Sequence, residues 1–527
     1  MKPYFYNFCM FNQAKFDKYV NVIFILFIFL IILFGIYIRV KNYLYAAPLW
    51  SDEMALARSV VRENWLDLFV NLECNQKSPP LFLLLVYVCT KIAGISEYSI
   101  RLIPLIAGVS SIILFFPLCK RVFISRFPII LSMLIFVLSE PLIFYSKEFK
   151  QYSMDLFLFL VLALIYRHVK FEEMNKKIIL IYSLFIIFFM FSSIPMVFII
   201  PAFLFLKLCE KKLSIVQFFY FLPSILFCYV FYILQYYDLM SFETKHPEWQ
   251  NGFVSFSFSS FLSIFENFYE YIGVDFLISS LLFFIGLVVF LCSKNEDAKF
   301  LSVVLLFSFL ASILRLYPLS TRVILFLAPI FIIFMIKPFD IGVIFFKNEK
   351  LEVFKNIIIC IVAIYLLFCG HKLLDKYNFI LNNRIECFES AERRMLMKKA
   401  MISFLDMYNV GDKIVSNSEL DDFSKYYNIS LGYNHTLEHI YYYDEQVNDP
   451  FSNISIDGKN NYWFLGYKNV FCSDKENLYC LSKQNFQKNI EKSLKNKNLK
   501  HKIYQYEYEE KNINDDDEFL FYKIIFE

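Results

Sequence analysis

Two carboxylates stand side by side in Trp50-Ser51-Asp52-Glu53, a short way beyond an apolar run that ends at Ile38. Charge at a membrane exit is costly and is usually kept for function. Ser51 is placed to cap a helix whose first turn holds both acids, and Met54, Ala57, Val61 and Leu68 recur at helical spacing. A plainer reading of Asp52 and Glu53 is that they complement the helix dipole, worth about 0.3–1 kcal/mol. Four basic groups are expected at the same face. Arg58 lies on the Asp52 helix, Lys77 is stiffened by Ser78-Pro79-Pro80, Arg101 opens a span, and Arg322 closes Tyr317-Pro-Leu-Ser-Thr-Arg322. Such a mixture suits a substrate with a lipid-borne phosphate: the cations hold the phosphate and a carboxylate accepts a proton. Snorkelling at span ends accounts equally well for any one of these cations taken alone.

A second cluster, Ser146-Lys147-Glu148-Phe149-Lys150-Gln151-Tyr152-Ser153-Met154-Asp155, joins two apolar runs. Lys147 and Lys150 sit where the charge bias of the other loops calls for few lysines. Glu148 and Asp155 lie seven apart, two helical turns, and can share one face. The plainer alternative is a solvated loop. Carboxylates from separate loops can hold a divalent cation through oxygen ligands, which makes Asp52 with Glu148 or Asp155 a candidate metal set. In a long polar connection, His246, Glu248 and Trp249 are candidates for touching an acceptor. The six histidines show no HxxH or HExxH spacing, and no P-loop, GxGxxG or nucleophile elbow is present. Nucleotide-dependent chemistry on the cytoplasmic side is not indicated, and nothing points to nucleic acid.

The elements that must position these groups are membrane helices. Of 527 residues 58% are hydrophobic and 20% aromatic, with a mean hydropathy of +0.49; soluble domains sit near 45–50% apolar. Apolar runs occur at Val20–Ile38, Ile100–Leu118, Phe127–Phe144, Leu156–Tyr166, Ile178–Phe191, Ile194–Leu206, Ile215–Leu234, Phe276–Cys292, Phe300–Leu316, Val323–Ile336 and Ile357–Phe368. The shorter ones need flanking residues to complete a span. The first is not a cleavable signal peptide, because no small-residue cleavage site follows before Arg39-Val40-Lys41. Lys120-Arg121…Arg126, Arg167…Lys177, Lys207…Lys212, Lys294…Lys299 and Lys337…Lys355 are basic, whereas Ser192-Ser193, Tyr237–Val274 and Tyr317–Thr321 are not. The positive-inside rule then puts the first set in the cytoplasm. Alternation holds if Leu81–Ala93, short and led by Pro79-Pro80, is interfacial or re-entrant. The expectation is eleven spans, the N-terminus cytoplasmic and the C-terminus outside.

Residues 1–372 are thus read as a transmembrane domain with a first external loop at 40–99, and 373–527 as a small extracytoplasmic α/β domain. The latter has a helical stretch Cys387–Tyr408, a turn into a strand at Gly411–Ser416, and strands at Tyr462–Gly466, Tyr479–Ser482 and Phe519–Phe526. Most of the 12 cysteines lie in apolar segments; Cys472 and Cys480 alone suit a disulfide.

Trp50-Ser-Asp-Glu-Met-Ala-Leu-Ala-Arg58, Lys77-Ser-Pro-Pro-Leu, Glu97-Tyr-Ser-Ile-Arg101-Leu-Ile-Pro-Leu-Ile-Ala-Gly108, Tyr145-Ser-Lys-Glu-Phe-Lys-Gln-Tyr152 and Tyr317-Pro-Leu-Ser-Thr-Arg322 with Pro329 occur in this order. Together they resemble the protein O-mannosyltransferase and aminoarabinose-transferase superfamily of GT-C glycosyltransferases (glycosyltransferase family 39-like). The resemblance implies a bacterial plasma-membrane enzyme that transfers a sugar, with inversion, from a polyprenyl-phosphate donor to a glycan, glycolipid or protein acceptor. It also implies first-loop helices lying along the membrane. It makes Asp52 the base with Glu53 as its partner, gives Arg58, Lys77 and Arg101 to the carrier phosphate, and adds Lys150 and Arg322 to the cationic set. Glu148 or Asp155 would supply a second acid. The family more often has Arg where this chain has Lys150. Two other readings remain: a transporter or flippase of lipid-linked sugars, which calls for mid-span charge and repeated halves, and an inactive scaffold.

Overall fold

The computed structural model describes residues 2–45, 47–61, 64–70, 72, 76–171, 175–243, 252–255, 257–272, 276–319, 322–345, 391–416, 418–433, 437–441, 461–467, 501–508 and 519–526. The expected span Ile357–Phe368, the residues His246, Glu248 and Trp249, the Cys472–Cys480 pair and the strand Tyr479–Ser482 lie outside the described residues. The chain divides into two compact units. One comprises Met1–Tyr45, Lys77–Val86 and Arg101–Ile385; the other joins Ala46–Gln76 and Tyr87–Ile100 to Glu386–Glu527.

The first unit is built from apolar helices. Among the described residues three helical stretches are long and apolar enough to cross a membrane: Tyr19–Leu44 within α1 (Lys2–Leu44), α4 (Glu97–Val122), and Ile215–Leu234 within α10 (Ile215–Glu243). Shorter helices complete it: α5 (Arg126–Leu138), α6 (Glu140–Phe144), α7 (Tyr152–Ile165), α8 (Lys176–Ser192), α9 (Met196–Cys209), α11 (Phe258–Ile272), α12 (Phe276–Leu291), α13 (Glu296–Ile313) and α14 (Ala328–Phe345). Ile23, Phe29, Leu234 and Leu281 are exposed, as side chains facing lipid must be. Ile330 to Ile336 are wholly buried, so α14 runs through the interior of its unit. Aromatic rings bind α11, α12 and α14 together: Phe268 stacks on Phe331 at 4.2 Å, and Phe265 meets Phe283 at 4.9 Å. A buried ion pair secures the turn between α4 and α5. Lys337 reaches Asp340 at 2.7 Å and Val122 O at 2.9 Å, while Asp340 accepts from the Ser125 N–H at 2.8 Å.

Two expectations change here. The run Phe127–Phe144 is not one helix: it breaks at Ser139, two residues before Pro141. Pro141 has no N–H to donate to the carbonyl four residues before and its ring crowds that carbonyl, so α5 stops and the proline sits in the first turn of α6. The long connection after Tyr237 contains a helix, α11, whose Ile264, Phe265, Phe268 and Tyr269 are buried. α3 (Pro80–Ala93) is 14 residues long. That is about 21 Å, short of the roughly 30 Å hydrocarbon core.

The described residues of the second unit form α2 (Ser51–Val61), a 3-10 turn at Trp65–Phe69, α15 (Ala391–Met407), α16 (Ser418–Ser430) and five strands. These are β1 (Lys413–Ser416), β2 (Glu438–Tyr441), β3 (Tyr462–Tyr467), β4 (His501–Tyr508) and β5 (Phe519–Phe526), in the order β2-β1-β3-β5-β4. β1 runs parallel to β2 and β3, and β5 runs antiparallel to β3 and β4. Gly411, at φ +101°, supplies the left-handed turn into β1. Next to it, buried Asp412 takes Trp463 Nε1 at 2.9 Å, Asn461 Nδ2 at 3.1 Å and Lys523 Nζ at 3.0 Å. That cluster ties β1, β3 and β5 together, and α16 packs against α15, β1 and α2.

Candidate active site

The helix carrying the paired acids begins one residue earlier than its sequence pattern indicates. Met54 N–H donates to Trp50 O at 2.8 Å, which makes Trp50 rather than Ser51 the capping position. Glu53 Oε2 accepts from the Trp50 N–H at 3.3 Å, the acidic half of a capping box. The two acids therefore have different surroundings. Glu53 is fully buried with an oxygen turned back on the helix start, whereas Asp52 is half-buried and accepts from Gln76 Nε2 at 3.5 Å. Arg58 is half-buried on the same helix. Met54, Ala57, Val61 and Leu68 are buried as their spacing requires. Gln76, which precedes Lys77, has no signal in the sequence that would mark it as the partner of Asp52.

The remaining expected residues belong to the first unit. Pro79 and Pro80 open α3, with Leu83 N–H on Pro79 O at 3.2 Å; proline suits a first helical position, where its missing donor costs nothing. Ser78, just after Lys77, is buried, its Oγ 3.5 Å from Gln151 Oε1, and Phe82 stacks on Phe149 at 5.9 Å. The Lys77 and Tyr145–Tyr152 segments are thus packed on each other. A third segment joins them through Gly108 of α4, where an added Cβ would fall 2.5 Å from Ser146 Cβ. Only glycine admits that approach. Arg101, further back on the same helix, is buried.

The segment 145–155 is not a solvated loop. Lys147, Glu148, Lys150 and Asp155 are each at most 5% exposed. Glu148 stands in a bend and Asp155 inside α7, so the helical spacing expected to unite them does not run through the segment. The fold of the bend comes from its own polar groups. Ser146 Oγ donates to Ile143 O at 2.6 Å, Ser153 Oγ donates to Tyr145 O at 2.7 Å, and Lys147 Nζ lies 5.4 Å from the Phe144 ring centre. One oxygen of Asp155, Oδ1, is buried without a hydrogen-bond partner among the described residues. Arg322 is half-buried in a turn drawn closed by Tyr317 OH on Val323 O at 3.0 Å, and the Leu325–Leu327 turn after it packs on α7. Leu319 N–H reaches Gly252 O at 2.6 Å, anchoring that turn to the long connection.

Among the described residues no three His, Cys, Asp or Glu side chains converge as a metal site.

No protein-family model matches the chain, and no curated protein matches it in sequence. Solved structures do. ArnT from Cupriavidus metallidurans bound to undecaprenyl phosphate superimposes with a TM-score of 0.53 over 93% of this chain and 97% of that one, at 8% identity. The apo state of the same protein gives 0.52 over 94% and 97%, at 7% identity. The backbone fold is the GT-C type of these two structures. At such identity the likeness concerns the path of the backbone. In this GT-C fold the polar motifs occupy buried or half-buried positions within apolar helical surroundings, which composition alone does not require.

Proposed function

We propose that this chain is an integral-membrane glycosyltransferase that moves a hexosyl or pentosyl group from a polyprenyl-phosphate donor to an acceptor hydroxyl at the extracytoplasmic face, with inversion. One observation carries the reading: Arg101, Lys147, Glu148, Lys150 and Asp155 are buried within an apolar helical unit of GT-C fold. Keeping charge in such surroundings costs several kcal/mol unless opposite charge and hydrogen bonds meet it, so groups of both signs gathered there suit a charged substrate. ArnT, crystallised with undecaprenyl phosphate, supports the choice of carrier.

In the proposed reaction the acceptor oxygen attacks the anomeric carbon on the face opposite the phosphate. The carbon–oxygen bond to the phosphate breaks, and its electron pair leaves with the carrier. Asp52 accepts the acceptor's proton as the new bond forms. Lys77, Arg101 and Arg322 neutralise the departing phosphate, with Arg58 and Lys150 in the same role, and positively charged donors strengthen as charge develops on it. Glu53 holds the helix start that presents Asp52. Glu148 and Asp155 supply negative charge that orients the cations or the sugar. The N-terminus is cytoplasmic and residues 373–527 are extracytoplasmic, as the loop charges require.

The test uses purified full-length protein with a polyprenyl-phosphate sugar and measures release of free polyprenyl phosphate. The wild type releases carrier in step with glycosylated product. Asp52→Asn loses about a hundredfold to ten-thousandfold in kcat while inserting and folding normally. Movement of intact donor across the bilayer without release would identify a flippase instead, and full transfer by Asp52→Asn would remove that residue from the role of base.

A further inference from the structure

α2 has 11 residues, too few to be stable alone, since isolated helices below about 12–15 residues are marginal in water. Its position therefore depends on what it packs against. Met54, Leu56, Ala57 and Val60 are wholly buried, and the helix packed on it is α16, where Tyr426 and Tyr427 are also buried. α16 in turn packs against α15. One side chain joins these layers. Lys398 of α15 donates to Glu97 Oε1 at 2.6 Å, across 301 positions of sequence, and its Nζ lies 5.6 Å from the Tyr427 ring centre. The Glu97 and Lys398 side chains are 11% and 27% exposed, so the pair is shielded from bulk water more than an ordinary surface pair.

We propose that Lys398 is a positioning residue for the reacting carboxylate: by bridging Glu97 and Tyr427 it seats α16, and α16 seats the helix that presents Asp52. The role rests on Asp52 being the proton acceptor. It gives the C-terminal segment a task in the reaction beyond its own folding. Catalytic groups must be held within about 0.5 Å of productive geometry, and a short helix on a loop needs an outside brace to achieve that.

The experiment uses full-length protein in lipid nanodiscs. Lys398→Met, Glu97→Gln, the double variant and the charge-reversed pair Lys398→Glu/Glu97→Lys are compared by hydrogen exchange and by steady-state transfer. Lys398→Met is expected to raise amide exchange in peptides covering residues 51–61 about tenfold, leaving those covering 519–526 unchanged. It should lower kcat about tenfold with an unaltered KM for the donor. Glu97→Gln should do the same, the double variant should add nothing further, and the reversed pair should recover most of the loss. Unchanged exchange in 51–61 overturns the proposal. A rise that is equal in 519–526 also overturns it, because Lys398 would then serve general stability alone. Raised exchange in 51–61 in Lys398→Met, beside a wild type that transfers no sugar, would overturn the reading of function beneath it, and the proposed catalytic role with it.

Discussion

At the scale of single residues, the adjacent acids Asp52 and Glu53 are separated by what each oxygen meets. Glu53 turns back to the Trp50 N–H, and glutamine can accept the same hydrogen bond. Glu53→Gln is therefore expected to keep kcat within about tenfold of wild type, a loss of under roughly 1.4 kcal/mol. Glu53→Ala removes the cap and should cost about 1 kcal/mol of stability, read as a lower melting temperature. Asp52→Asn should show the opposite pattern, with stability kept and kcat lost. Arg101→Lys tests the buried cation. A guanidinium grips phosphate through two donors and an ammonium acts as a point charge, so weaker donor binding, seen as a raised KM, is expected with insertion intact. The types and spacing of these residues were legible in the sequence. The division of labour between Asp52 and Glu53 was not, because it depends on where helix α2 starts and on Gln76.

At the scale of elements, the close approach of α4 to the 145–152 segment is sensitive to any added side chain at Gly108. Gly108→Val places a Cβ where Ser146 Cβ stands 2.5 Å away, next to Ser146 backbone. Overpacking of this kind costs about 1–3 kcal/mol. Because the displaced segment carries Lys147, Glu148 and Lys150, transfer should fall further than the melting temperature alone accounts for; activity at matched folded fraction checks this. Elements with a strong local signal matched expectation, among them α7, α8, β3 and β5. β4, His501–Tyr508, was missed because its lysine, glutamine and glutamate dilute the apolar alternation, and only pairing with β5 makes it a strand. β2 has four residues and depends in the same way on β1.

At the scale of the whole molecule, the chain combines helices that face lipid with a mixed sheet pinned by a buried ion pair. Asp412→Ala leaves Lys523 buried without its acid and frees Trp463 Nε1 and Asn461 Nδ2. Breaking a buried pair by removing one partner costs about 3–5 kcal/mol, so exchange across β1, β3 and β5 should quicken. Replacing both residues, as Asp412→Leu with Lys523→Met, should recover much of that loss.

The sequence by itself determined that the chain enters a membrane, where its apolar runs lie, and which charged residues deserve a role. Run length against bilayer thickness and the cost of charge near hydrocarbon are local properties of the chain. Proline positions belong to the same class, and the break before Pro141 could have been read from them. Tertiary structure alone decided that residues 145–155 are buried, that Gly108 admits them, and that Lys398 finds Glu97 across 301 positions. These are meetings of segments distant in sequence, and packing of whole helices selects them, not the preference of any one residue.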